Sequence, residues 1–324
     1  MTLSALMPVL DRYFWLHIAV IAALLSLLFV LPEYHSGIMA RVMVLVVYAL
    51  GYNLLFGYTG LLSLGHALYF SAGMYGAGLA IRWLDWSLFP AFFSGIVAAT
   101  LVALVIGSLA LRTIGVAFMI VTMMFAQTGY LLILYFNEYT RGDEGFVIGQ
   151  AARLIEWGSI TVDLSAPDNR YLAAWLVLSL CLLVKLILVR SPTGRVWIGL
   201  RENEERARLL GFNPYRYKLS AFVISGIYAG IAGALYAILF GYAGATFASI
   251  QYSILPLLWV LLGGAGVVLG PVFGTVVMFY LVDYLSEQTS AYMLFVGVVL
   301  VVLVLVAPRG ILGSLRRRLL HGLP

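Results

Sequence analysis

GYNLLFGYTGLLSLGHALYFSAGMYGAG, residues 51–78, sets seven glycines among leucines, phenylalanines and tyrosines and adds Asn53, Thr59, Ser63, His66 and Ser71. A helix that merely faces lipid has no use for such a mixture. Two readings account for it. Glycine and serine let helices approach closely while polar side chains bond across the contact. Alternatively, the chain breaks or re-enters at Gly57-Tyr58-Thr59-Gly60, where backbone groups freed from a helix survive only if protein or a water-filled path covers them. The two are compatible. They mark Asn53, Tyr58, Thr59, Ser63 and His66 as candidates for lining a translocation path.

On either side of this stretch the chain stays apolar. Hydrophobic residues make up 63% of the 324 residues and charged residues 10%, far from the soluble balance of about half and a quarter. Apolar stretches near the roughly 20 residues needed to cross a bilayer fall at 14–31, 38–56, 61–81, 86–111, 114–136, 171–189, 219–241, 244–262, 267–286 and 290–307. The expected fold class is therefore all-α: a polytopic transmembrane bundle of about ten spans, forming a single transmembrane domain over 1–324. The first stretch runs into Pro32-Glu33 without a small-x-small cleavage pattern and reads as a retained helix. Cys181 is the single cysteine, so an internal disulfide is excluded.

Charge fixes the expected orientation. The segment 190–218 carries Arg190, Arg195, Arg201, Arg206, Arg208, Arg216 and Lys218, and the tail 308–324 ends in Arg316-Arg317-Arg318; both belong on the cytoplasmic side by the positive-inside rule. A loop and a tail on one side require an even number of crossings between them. Residues 244–286 must then cross twice, turning at Gly263-Gly264-Ala265-Gly266. Both termini become cytoplasmic, and 137–170, where acidic residues outnumber basic ones, becomes an outward loop. The formal charge of +5 follows from this topology and does not call for a nucleic-acid partner.

His66 lies within a predicted span, where an ionisable side chain is a functional candidate by default; the plainer role is a neutral ring bonded to a neighbouring helix. The cytoplasmic run 201–211 reads as one short amphipathic helix. Glu202 with Arg206 and Glu204 with Arg208 are acid-before-base pairs four apart, and Gly211 can close the end. Such a helix is either a solvated surface element or a docking element for a motor subunit. Arg201, Glu202, Glu204, Glu205, Arg208 and Gly211 are its candidate coupling residues. The glycine-rich run 263–274 lacks the Lys-Ser/Thr of a phosphate-binding loop, and neither lysine, Lys185 or Lys218, sits in a GxxxxGK[ST] context. HExxH and GxSxG are also missing, so no enzyme motif is present.

Several of these segments together resemble the membrane permeases of branched-chain amino acid ABC importers, in particular the LivM branch. The resemblance is carried by Asn53-Leu54 and Gly57 through His66, by Thr122 through Ala126-Gln127, and by Thr140-Arg141-Gly142-Asp143-Glu144-Gly145, similar to the family's T-G-G-x-x-G with Arg141 at the second glycine. It continues through Arg201-Glu202-Asn203-Glu204 to Gly211, Tyr217 to Phe222 and Gly263 to Gly274. The resemblance implies a bacterial cytoplasmic (inner) membrane location, a second, LivH-like permease, two cytoplasmic ATPases that bind the ATP, and an extracytoplasmic solute-binding protein. It implies no cofactor on this chain, and it makes 201–211 the element that receives the ATPase stroke. Urea, amides and other carboxylates are also carried by this branch. The rival expectation is a secondary transporter driven by an ion gradient, which the scarcity of acidic residues inside the spans disfavours.

Overall fold

The structure is a computed structural model describing residues 12–157, 160–289, 291–307 and 310–314. The arginine run 316–318 and most of the tail lie outside the described residues. In chain order the helices are α1 (Arg12–Ser26), α2 (Glu33–Asn53), α3 (His66–Leu84), α4 (Leu88–Ala110), α5 (Val116–Tyr135), α6 (Asn137–Thr140), α7 (Pro167–Arg190), α8 (Pro192–Glu202), α9 (Glu204–Leu209), α10 (Pro214–Phe240), α11 (Ile250–Gly263), α12 (Gly270–Gln288) and α13 (Tyr292–Val306). Each of the ten predicted spans falls on a helix. Among the described residues, five helices, those at 33–58, 88–110, 116–135, 167–190 and 214–240, are long and apolar enough to cross a membrane. A 14-residue helix such as α11 reaches only about 21 Å, so the number of full crossings is not given by the helix count.

Buried area is concentrated in α2 and α10, while α4 and α5 present mostly apolar surface to the outside. Because lipid tails are as apolar as leucine, helices in a bilayer associate through close packing rather than through expulsion of water. The sequence meets that need with small residues where α3, α4 and α10 meet. A Cβ added to Gly73 would stand 2.6 Å from the Cα of Gly230, and one on Gly76 2.9 Å from the Cα of Gly95. The small-residue reading of 51–78 therefore holds for its second half.

Its first half holds a break. Helix α2 widens into a π-helical turn over Leu54–Tyr58; residues 60–65 are not helical, and α3 begins only at His66. The predicted span 61–81 is corrected accordingly. Leu61 and Leu62 looked like the start of a helix because apolarity alone does not distinguish a non-helical segment packed in the bundle from a span. Likewise 244–249, assigned to a span, is a 3-10 turn (Ala245–Ala248) with non-helical residues on either side, and α11 starts only at Ile250.

At one end of α7 and α10 the polar segment carries two small antiparallel ribbons. Strand β1 (Phe146–Val147) pairs with β4 (Tyr242–Ala243), and β2 (Leu154–Trp157) pairs with β3 (Ile160–Asp163). These strands are missing from the all-α expectation. In the turn before β1, Arg141 is left-handed at φ +60°, followed by Gly142 at +50°, which gives the physical reason for glycine at that position in the motif it resembles. At the opposite end lie α8 and α9. The expected single helix 201–211 is split at Asn203, whose extended backbone and side-chain acceptance from the Arg206 N–H make it the N-cap of α9. That cap puts Glu202 and Arg206 on separate helices. Ser191 and Asn213 cap α8 and α10 in the same way, each followed by proline at the first helical position.

Candidate functional site

Inside the bundle, the non-helical segment 60–65 needs partners that water would supply elsewhere. Neighbouring side chains supply them. The Tyr52 hydroxyl donates to the Ser63 carbonyl at 3.0 Å, the Leu64 N–H donates to Thr122 Oγ1 at 3.1 Å, the Gly65 N–H donates to Ser63 Oγ at 3.2 Å, and the Ala67 N–H donates to Ser253 Oγ at 2.9 Å. Helices α2, α5 and α11 thus hold the break in place. Thr122 lies one and a half turns into α5, about 9 Å along its axis, so α3 starts well inside the apolar layer.

His66, the first residue of α3, is fully buried with its Nε2 2.7 Å from Ser225 Oγ. The Ser225 hydroxyl has one hydrogen, and it goes to the Gly51 carbonyl at 2.7 Å. Ser225 Oγ must then accept from His66, which makes the neutral imidazole an Nε2–H donor with an acceptor at Nδ1. That Nδ1 is buried and has no hydrogen-bond partner among the described residues. Tyr52 and Tyr69 meet the ring edge-on at centroid distances of 4.7 and 5.5 Å.

Asn53 braces the break against the glycine-rich turn. Its Nδ2 donates to Val267 O at 2.8 Å, and its Oδ1 accepts the Gly266 N–H at 3.0 Å. A Cβ on Gly57 would stand 2.5 Å from Gly266 N, so the two segments are in backbone contact. Into this contact comes Arg201 from α8. Its guanidinium donates to the Gly57 carbonyl, and its stem runs beside Gly60, whose φ is +74°. Arg201, expected among the coupling residues, is exposed and also bonds to the segment that carries the path candidates. Thr59 back-bonds to Leu55 O. Tyr58 lies under the ammonium of Lys185, 5.8 Å from Nζ to the ring centroid.

The five path candidates are therefore brought together, and all five are buried. Lys185, Ser225, Thr122, Tyr52 and Ser253 were not among the predicted site residues. Lys185 carried the clearest signal, a cation within the apolar run 171–189. Its Nζ is fully buried and without a hydrogen-bond partner among the described residues.

On the α8–α9 side, Glu204 pairs with Lys218 at 2.5 Å and more loosely with Arg208 at 4.0 Å, which turns Glu204 toward α10. Glu202, Glu205, Arg208 and Gly211 remain exposed. Gly211 takes φ +89°, and the Phe212 N–H reaches back to Ala207 O, a Schellman closure that leaves Leu209 and Leu210 88% and 71% exposed. A cavity of about 680 Å³ opens between Leu61, Ile114, Glu204, Arg208, Phe212 and Lys218, so the broken segment forms part of its wall.

An apolar bundle with a braced break in its central helix, tied to a charged hairpin at one end, defines a multi-pass membrane protein of transporter type. The family described as branched-chain amino acid transport system / permease component matches residues 34–307. The high-affinity branched-chain amino acid transport system permease protein LivM of Escherichia coli (strain K12) is 30% identical over 298 residues, 86% of this chain and 69% of the relative; its Salmonella typhimurium (strain LT2) counterpart shows the same figures. A shorter likeness, 33% over 90 residues and 28% of this chain, links it to the L-arabinose transport system permease protein AraH of Escherichia coli, 27% of which is covered. No solved structure matches at comparable significance. The chain belongs to the branched-chain amino acid transport permease family.

Proposed function

We propose that this chain is the permease subunit of an ATP-driven importer of the bacterial inner membrane, carrying branched-chain amino acids or a related small solute. It forms the path with a second, related permease and performs no covalent chemistry. Two ATPase subunits dock on α8 and α9 and bind the ATP; a solute-binding protein docks at the opposite end, over the β-ribbons, and both termini are cytoplasmic.

The observation that carries the coupling is the bond from Arg201 to Gly57. A push on the exposed Leu209-Leu210 tip reaches α8, and Arg201 transmits it to the π-helical end of α2, where regular hydrogen bonding is already interrupted. The break is thus the part of the bundle that yields first. The cavity bounded by Leu61 becomes its inward vestibule.

Reconstitution with the neighbouring subunits tests this. Uptake should require ATP and the binding protein; uptake by this chain alone under an ion gradient would overturn the proposal. Arg201→Ala should leave ATPase attachment intact while lowering uptake at least several-fold. Leu209→Asp with Leu210→Asp should abolish attachment without shifting the permease's own thermal unfolding.

A further inference from the structure

At the end of the bundle remote from α8 and α9, three arginines from three segments converge on the last residue of α10. The guanidinium carbons of Arg41 and Arg170 lie 5.2 and 5.4 Å from the ring centroid of Phe240. Arg153 lies against the next residue, where a Cβ on Gly241 would stand 2.9 Å from its guanidinium carbon. Arg170 is close enough to both others for mutual repulsion. Asp163 is the neighbouring carboxylate; it offsets part of the charge of Arg153 and Arg170, while its oxygens are held by Gln150 Nε2 and the Ser165 N–H, which each donate at 2.7 Å. Arg170 spends one donor on Ser165 O at 2.7 Å. The Nε of Arg153 and the Nε of Arg170 are buried without an acceptor, and among the described residues none of the three arginines is in an ion pair. Arg41 is exposed and Arg153 and Arg170 are half-buried, so the cluster is open to a solute, and cation–π contact with one phenylalanine offsets only part of the repulsion among three gathered cations.

We propose that this cluster is a carboxylate-binding site at the mouth of the path, where the guanidinium forks of Arg41 and Arg170 receive the carboxylate of an incoming solute and Arg153 adds charge. It deepens, and rests on, the transport reading above. A planar guanidinium matches a carboxylate with two parallel hydrogen bonds. The interior lies directly below: Phe240 meets Tyr236 at 4.7 Å, Tyr236 meets Phe247 at 4.8 Å, Phe247 meets Tyr252 at 5.0 Å, and Tyr252 stacks on Tyr48 at 6.1 Å. Arg41 stands beside Phe240, the first ring of this column, where an aliphatic side chain following the carboxylate would find apolar surface.

The test uses the full transporter in phosphatidylcholine vesicles, with and without phosphatidylglycerol, and L-leucine at limiting concentration. Arg41→Gln combined with Arg170→Gln should lower uptake about tenfold or more, the value of one charge-assisted hydrogen bond, in both lipids and with the affinity for the binding protein unchanged. Arg41→Lys keeps stem and charge and should lose most of the same uptake while unfolding at the wild-type temperature. In a second arm, the full-length permease in phosphatidylcholine nanodiscs should show saturation-transfer NMR contact to isovalerate but not to isoamyl alcohol, and the double variant should lose it. Weakened binding-protein affinity in parallel with uptake would assign the arginines to protein docking. An effect confined to phosphatidylglycerol would assign them to lipid. Either result, or unchanged uptake, overturns the proposal. A wild-type complex that fails to import L-leucine with ATP overturns the branched-chain amino acid reading on which this site rests, whereas the nanodisc arm bears on the anion site alone.

Discussion

Replacing Ser225 by alanine removes one oxygen and strands two groups. The His66 Nε2–H loses its acceptor at 2.7 Å and the Gly51 carbonyl loses its donor at 2.7 Å; both are in the fully buried core, where no water can substitute. In soluble proteins each unsatisfied group costs about 1–3 kcal/mol. Hydrogen bonds between membrane helices average nearer 0.6 kcal/mol and reach about 1.7, because the unfolded reference state within the bilayer also finds partners. Two such losses sum to about 1–3 kcal/mol. Reversible unfolding in mixed micelles, titrated with dodecyl sulfate, can resolve that difference. A double-mutant cycle with His66→Leu should return a coupling of at least about 0.5 kcal/mol, since the two residues share one hydrogen bond. In ¹⁵N spectra His66 should appear as the Nε2–H tautomer in the wild type. A Ser225→Ala cost below about 0.3 kcal/mol, or additive single changes, would refute the bonded triad of His66, Ser225 and Gly51.

Three further outcomes are expected. Asn53→Leu keeps the volume but leaves the Gly266 N–H and the Val267 carbonyl unpaired; it should destabilise the same unfolding by about 1–3 kcal/mol and lower uptake without loss of ATPase binding. Arg141→Gly relieves a non-glycine residue at φ +60° and should raise thermal stability by up to about 1 kcal/mol. The Asp163 carboxyl is held below its ordinary range, chiefly by Gln150 and then by Ser165. A depressed folded-state value stabilises the charged form above the unfolded pKa and is lost as pH falls through the folded one. Hydrogen-exchange protection of 150–165 should therefore hold at neutral pH and decline only below about pH 4, and Asp163→Asn should remove that dependence.

Hydrophobic runs placed the helices because the bilayer leaves the chain few alternatives, and each span from 14–31 to 290–307 coincides with one. The break was legible in Gly57-Tyr58-Thr59-Gly60 for a physical reason: glycine and polar groups are out of place on a lipid-facing helix. Its extent was not, because Leu61 and Leu62 are as apolar in a non-helical segment as in a helix. The split at Asn203 had a readable signal in an N-capping residue followed by Glu204 and Glu205, but the acid-before-base spacing pointed more strongly to one continuous helix. The partners Ser225, Ser253 and Thr122 are distant in sequence from the groups they satisfy, and nothing local to a serine in an apolar run says which carbonyl or N–H it will meet. Arg201 was placed at the start of a helix 201–211 and lies at the end of α8; its reach to Gly57 depends on how α8 lies across the end of α2, which no local pattern encodes.

The pairing of β1 with β4 also carries a consequence for biogenesis. Phe146 faces Ala243 and Val147 faces Tyr242, yet α7, α8, α9 and α10 are all synthesised between the two strands. The first half of this ribbon must wait, single-stranded, until α10 has been inserted. Only a chain whose middle helices have been threaded correctly can complete it, so the finished ribbon reports successful insertion to anything that recognises that face.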